Sequence, residues 1–400
     1  MIPARTGTRL PPELCDETID HLWDDIDSLR ACSLTCKDWL PSSRFHLFRS
    51  VRLRHADDLT RFRALLASAP SVALCVRKLS LNADHAGIAP DGSPRVDDGW
   101  VDATAALFPL LTHLTALALA RIRWHALAPA TRAALTAAAD SIRQLFLFDV
   151  SFAASRDVIL FLSAFPALRE LYFQSVSWAH DSPSPFEDAD APADAQEPAG
   201  RMQLSYLFLD PASSPTLVTE WLLRRPDEPR LQTIQLCWRE LANTKPVGDL
   251  LRASGASLET LHVEFPTGDT PDPAPAPPNG PGPDPVLTFA DEDLSLAHNT
   301  ALRALHFGGL DARASRAPAG RRLFPWVAAM LGALRAPRLE EVSLALEVGA
   351  PADLAALDWP RIDAGLCRDE LRGLARELKR ELAERLAGFR ARGTLSVSCI

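Results

Sequence analysis

The feature that most narrows the folds open to this chain of 400 residues is a short apolar signature written nine times. It reads apolar, two variable residues, apolar, one variable residue, apolar, as in the stretch from Leu168 through Leu171 to Phe173. Its other copies are centred on Leu79, Leu117, Leu145, Leu207, Ile234, Leu261, Leu305 and Val342. Between centres the chain advances by 38, 28, 26, 36, 27, 27, 44 and 37 residues. The last two apolar positions of each copy alternate, which is the pattern of a short strand with one buried face. The leading apolar position brings the chain in from the preceding coil.

Between these strands, apolar residues fall at helical spacing. Helices are expected over 57–68, 101–111, 129–139, 157–164, 216–224, 247–253 and 324–334, with an entry strand over 51–54. Strand and helix alternating in short units make an α/β architecture. Four of the steps, between 26 and 28 residues, match the length of one leucine-rich repeat. The nine units resemble irregular leucine-rich repeats. That resemblance implies a horseshoe with parallel inner strands and outer helices. A single compact core rarely serves a chain this long, but stacked units escape the limit because each buries its apolar face only on its neighbours.

The longer steps have visible causes. Residues 84–99 are polar with Gly and Pro, 181–200 are acidic and aperiodic, and 266–285 are rich in proline. Each is expected to be a disordered insertion leaving an intact coil. From Leu366 a long amphipathic pattern runs to Phe389, followed by alternation at Leu395, Val397 and Cys399; 366–400 is expected to be a helix-strand cap.

The N-terminal stretch differs. Leu10 and Pro11 precede a helical face of Leu14, Ile19 and Leu22, with acidic Glu13, Asp16 and Glu17 at its positive end. An Asp-rich link follows, in which Asp27 or Ser28 is expected to cap a second helix. That helix carries Leu29, Cys32, Cys36 and Trp39 and is expected to stop at Pro41. Leu10-Pro11, Glu13-Leu14, Ile19, Leu22, Leu29, the Ala31–Leu34 run, Cys36-Lys37 and Trp39 resemble the F-box motif almost in step.

The resemblance covers residues 8–50 as an F-box domain, leaving 51–400 to the repeats. It implies docking on a Skp-type adaptor, and through it on cullin, by Leu10, Pro11, Leu14, Ile19, Leu22, Leu29, Leu34 and Trp39, some of them packing the helices and others inserting into the adaptor. It further implies a non-catalytic substrate receptor of an SCF-type ubiquitin ligase. Two alternatives stay open: a helical cap on the first coil, and a non-degradative protein-binding scaffold.

Strand positions between the buried ones face the hollow of such a horseshoe. There Phe146, Phe148, Tyr172, Tyr206 and Phe208 are expected to form one aromatic patch across three coils, and they are the candidate contacts to an unknown target protein. His262 and His306 hold equivalent places on successive repeats with Glu264 nearby, and polar surface explains them better than a metal. Cys32 and Cys36 sit four apart on the expected helix, where packing is the better reading. No phosphate-binding loop, nucleophile elbow or zinc-protease motif is written in the chain, so neither cofactor nor catalysis is expected.

Composition agrees with this picture. The net charge of -9 disfavours nucleic acid, and no apolar run is long enough for a membrane span. Seven cysteines without repeated short spacing, and no secretory signal, point to reduced thiols inside the cell, in cytoplasm or nucleus.

Overall fold

The computed structural model describes residues 11–88, 94–182, 186, 202–210, 215–225, 230–237, 244–264, 294–311, 324–347 and 357–366. Leu10, the 266–285 segment, nearly all of 181–200 and the cap beyond Leu366 lie outside the described residues. The chain forms two compact units, Met1–Ala167 with Trp178–His180, and Leu168–Ser177 with Asp181–Ile400.

The first unit opens with three helices, α1 (Pro12–Asp20), α2 (Ile26–Thr35) and α3 (Leu40–Phe48). Pro12 stands in the first turn of α1, where a missing N–H leaves nothing unsatisfied. The cap of α2 is Asp25, not Asp27 or Ser28: its carboxylate accepts from the Ser28 amide at 3.0 Å and the Ser28 hydroxyl at 2.6 Å. Asp25 alone has the extended backbone that lets a cap side chain reach forward three residues. The helix ends at Thr35, and Cys36 is extended, so Cys32 and Cys36 share no helical face. Pro41 does not stop α2; it starts α3, with the Trp39 carbonyl accepting from the Ser43 amide at 3.1 Å. The first and third helices are tied by His46 Nε2 to Asp20 Oδ1 at 2.6 Å and by the Ser42 hydroxyl donating to Asp16.

From there the unit alternates strand and helix. Strand β1 (Ser50–Leu53) leads through α4 (Ala56–Ser68) to β2 (Lys78–Asn82). The expected disordered insertion at 84–99 is corrected here: β3 (Asp84–Ile88) and β4 (Pro94–Asp97) pair as an antiparallel ribbon. Its exit is pinned by Asp98, only 3% exposed, whose carboxylate accepts from the Arg123 amide at 2.9 Å and from the Arg123 guanidinium at 2.6 Å. That hydrogen-bonded carboxylate raises the Arg123 pKa above its ordinary value. Order here comes from backbone pairing and from a buried carboxylate held by a half-exposed arginine rather than from apolar burial. A 3-10 helix, Gly99–Leu110, replaces the α-helix expected at 101–111. Then follow β5 (Ala116–Ala120), α5 (Pro129–Ala137), β6 (Gln144–Phe148), β7 (Ser151–Ala154) and α6 (Ser155–Ser163).

The second unit begins with β8 (Glu170–Gln174). A short β9 (Ser177–His180), most of which belongs to the first unit, pairs with β7. The second unit continues through β10 (Tyr206–Leu209), α7 (Pro215–Leu223), β11 (Thr233–Cys237), α8 (Lys245–Ser254) and β12 (Thr260–Glu264). It closes with β13 (Ala304–Asp311), α9 (Pro325–Ala333), β14 (Glu341–Glu347) and α10 (Trp359–Leu366).

In the first unit β1, β2, β5 and β6 run parallel, and Leu79, Leu117 and Leu145 are register partners. In the second, β8, β10, β11, β12, β13 and β14 run parallel, aligning Leu171, Leu207, Ile234, Leu261, Leu305 and Val342. These central residues of the repeated signature are at most 2% exposed. Each such side chain contributes about 1.5–3 kcal/mol by leaving water. The protein is thus of the α/β class.

A second regularity fixes the register. The carbonyl one residue before a strand accepts two consecutive amides from the entry of the next strand. Arg77 takes Thr115 and Ala116 at 2.8 and 2.9 Å; Ser205 takes Gln232 and Thr233, and Arg303 takes Glu340 and Glu341, at the same distances. A third regularity marks the exits: Arg121, Asp149 and Ser175, the residues just past β5, β6 and β8, take left-handed backbone with φ of 54°, 54° and 52°.

Candidate functional site

Two surfaces carry the expected functional residues. In the helical module Ile19 and Leu29 are each 1% exposed, which puts them among the residues that pack the helices rather than among those open to a partner. Leu22 and Trp39 are partly covered, and Pro11 is exposed. Leu14 is 47% exposed and Leu34 is 87% exposed. Two further apolar side chains stand open beside them in the chain, Trp23 at 64% and Ile26 at 56%. Sequence reasoning missed both because they flank the Asp24-Asp25 pair, Trp23 just before it and Ile26 in the first turn of α2, where the helical period is broken. Their signal was large apolar residues among carboxylates.

The second surface is the half-exposed face of the strands in the second unit. There the structure brings together three of the five expected aromatics. The Tyr172 and Tyr206 rings lie 4.7 Å apart with 31° between planes, and Phe208 is 6.3 Å from Tyr172 in a stacked arrangement. Phe208 is the register partner of Tyr172, whereas Tyr206 pairs with Glu170, so the closer Tyr172–Tyr206 contact runs diagonally across the two strands. The Tyr206 hydroxyl donates to Gln235 Oε1 at 3.1 Å, and the Tyr172 hydroxyl donates to Glu170 Oε2 at 3.5 Å. Burial, followed by Tyr206 and Glu170, pushes the Tyr172 phenol up to about 12, and burial raises Tyr206 as well. Both therefore stay neutral hydrogen-bonding groups at any physiological pH.

The same register carries this row onward: Phe208 is partnered by Gln235, Gln235 by His262, His262 by His306, and His306 by Ser343. The two imidazoles are 5.9 Å apart, and His306 Nδ1 is 2.7 Å from the Ser343 hydroxyl. Burial, aided by His306, lowers the His262 pKa, while Glu264 opposes the shift. Gly308 and Gly309 make room for this corner. A Cβ at Gly308 would stand 3.1 Å from His262 Nε2, and one at Gly309 would stand 2.6 Å from Glu264 Cγ. Among the described residues no group of three or more His, Cys, Asp or Glu is placed to hold a metal ion.

Phe146 and Phe148 belong to β6, in the first unit. The Lys78 ammonium lies 4.0 Å from the centre of the Phe146 ring, a cation–π contact, and Phe148 is 41% exposed. Among the described residues, the half-exposed face of β1, β2, β5 and β6 carries Arg52 and Lys78 but no carboxylate.

Fold and surfaces define an α/β protein of repeated parallel strands with an N-terminal helical module. Comparison with protein-family models and with curated proteins finds no match. Among the described residues no helix is long and apolar enough to cross a membrane.

Proposed function

We propose that the chain is the substrate-recognition subunit of an SCF-type ubiquitin ligase. Residues 8–50 act as an F-box that docks on a Skp-type adaptor and so on cullin. The later coils, read as a leucine-rich-repeat horseshoe, capture a target protein. The chain supplies no bond chemistry; holding the target near a ubiquitin-charged enzyme raises its local concentration and speeds transfer. The observation that carries this reading is the division within the helical module, where Ile19 and Leu29 are buried while Leu14, Trp23, Ile26 and Leu34 remain open. A module of about 40 residues gains little from its own core, and exposed apolar side chains on it suit a partner surface.

Co-purification of the full chain with a Skp-type adaptor and cullin tests the proposal. The variant Leu14→Ser/Leu34→Ser should lose both partners while keeping a cooperative unfolding transition, because Leu34 is 87% exposed and Leu14 about half exposed. Retention of the adaptor by that folded variant would overturn the reading. Tyr172→Ser/Phe208→Ser should instead abolish target capture and leave adaptor binding intact.

A further inference from the structure

We infer that the strand face of the second unit takes an extended target segment bearing lysine or arginine. This rests on the target-capture reading above and adds the chemistry of the captured segment. Two properties of the face point the same way. Its aromatic end, Tyr172, Tyr206 and Phe208, offers π surfaces and neutral phenols. Cations and their alkyl stems settle on such surfaces by cation–π attraction and apolar contact. Around that row, face positions carry Glu170 on β8, Glu264 on β12, the register pair Asp311 and Glu347, and Glu341 beside His306 at 3.7 Å. Among the described residues, no Lys or Arg occupies a face position on these six strands.

The overall charge of -9 does not account for this, since among the described residues the corresponding face of β1, β2, β5 and β6 carries cations and no carboxylate. The acidic character therefore belongs to this one face. Opposite charge on the ligand gives both attraction and discrimination against wrong partners. Nucleic acid is repelled by the same carboxylates. Six parallel strands about 4.8 Å apart present a row roughly 24 Å long. An extended segment of about seven residues spans that distance, turning every second side chain toward the row.

The test uses the purified full chain and two fluorescein-labelled peptides, eight residues of alternating Lys and Ser and the matching Glu and Ser peptide, read by anisotropy near physiological salt. The Lys peptide should bind and the Glu peptide should not. Glu170→Gln/Glu264→Gln/Glu341→Gln should weaken Lys-peptide binding about tenfold or more, from the loss of three charge pairs. Asp57→Asn/Asp140→Asn/Asp149→Asn, which removes the same charge at exposed sites off this face, should change it less than about twofold if the face rather than net charge recruits the peptide. Equal weakening by both triple variants, or no binding of the Lys peptide, overturns the inference. If the first triple variant loses its cooperative unfolding transition, Glu170→Gln alone decides, with weakening of about threefold expected and none refuting. The adaptor assay is independent: loss of adaptor binding with intact peptide binding refutes the ligase reading alone, and the reverse refutes only the cationic segment.

Discussion

The Tyr172 and Tyr206 rings meet at 4.7 Å across adjoining parallel strands, with the Glu170 carboxylate 3.5 Å from the Tyr172 hydroxyl. That setting favours the neutral phenol, first through burial, then through Tyr206 and Glu170. A phenol whose folded pKa lies above its unfolded value stabilises the fold below the unfolded pKa, near 10, and loses that contribution as pH rises through about 12. Denaturant unfolding at stepped pH should show stability falling across this alkaline window. In Tyr172→Phe the fall should be shallower, and an unchanged slope would contradict the assignment.

The acid limb has a different source. His262 is packed between β11 and β13 with His306 beside it, and its pKa is lowered chiefly by burial and then by that second imidazole, against the pull of Glu264. Glu341 lies 3.7 Å from His306 on the far side. The unfolded chain therefore binds the His262 proton more readily than the folded one. Stability from neutral His262 is present above the unfolded value of about 6.5 and is lost as pH falls below it. Thermal midpoints measured between about pH 7.5 and 5 should fall less steeply in His262→Gln than in the parent.

Gly309 combines two constraints. Its φ of +65° lies in the left-handed region, and an added Cβ would stand 2.6 Å from Glu264 Cγ. Gly309→Ala should destabilise by roughly 1–2 kcal/mol from the backbone alone, with more from displacing Glu264. Gly99→Ala, where nothing lies within 4 Å and φ is not left-handed, serves as the control. Chemical denaturation should separate the two; equal midpoints would mean that the β12–β13 corner relaxes freely.

The left-handed residues beyond β5 and β6 differ in what their side chains do. Asp149 has φ of 54° and an exposed side chain, so Asp149→Gly should stabilise by up to about 1 kcal/mol through relief of backbone strain. Arg121 has the same φ, but its guanidinium donates to the Ala83 carbonyl at 2.6 Å and to Asn82 Oδ1 at 2.5 Å. Arg121→Gly relieves the same strain and loses both bonds, so a net loss of stability is expected, read in the same denaturation series.

The repeated strands were legible in the sequence because alternation over a few residues is enough to mark a one-sided strand, and the register partners Leu171, Leu207 and Ile234 are the signature's own centres. Pro41 was not legible, since proline both ends a helix and opens one, and only the chain beyond it, from Leu40 to Phe48, decides. The ribbon of β3 and β4 escaped for another reason: backbone pairing and the Asp98–Arg123 contact leave no apolar trace in composition. On the candidate site, Asp311 and Glu347 were hidden by the irregularity between Phe307 and Leu310, which shifts the alternation by which face residues are counted. Trp23 and Ile26 were passed over because the junction between α1 and α2, with Ile26 only in the first turn of α2, has no period to read.

The paired amides that converge on a carbonyl just before a strand, as at Gln232 and Glu259, have one more consequence. Strand alignment is set by the neighbouring backbone and does not depend on how far the chain travels between strands: Ile234 to Leu261 takes 27 residues and Leu261 to Leu305 takes 44, yet both pairs align. Lengthening a connection costs only a slowly growing closure entropy. Such a scaffold can gain, trade or shed its excursions during evolution while every side chain on the strand face keeps its address.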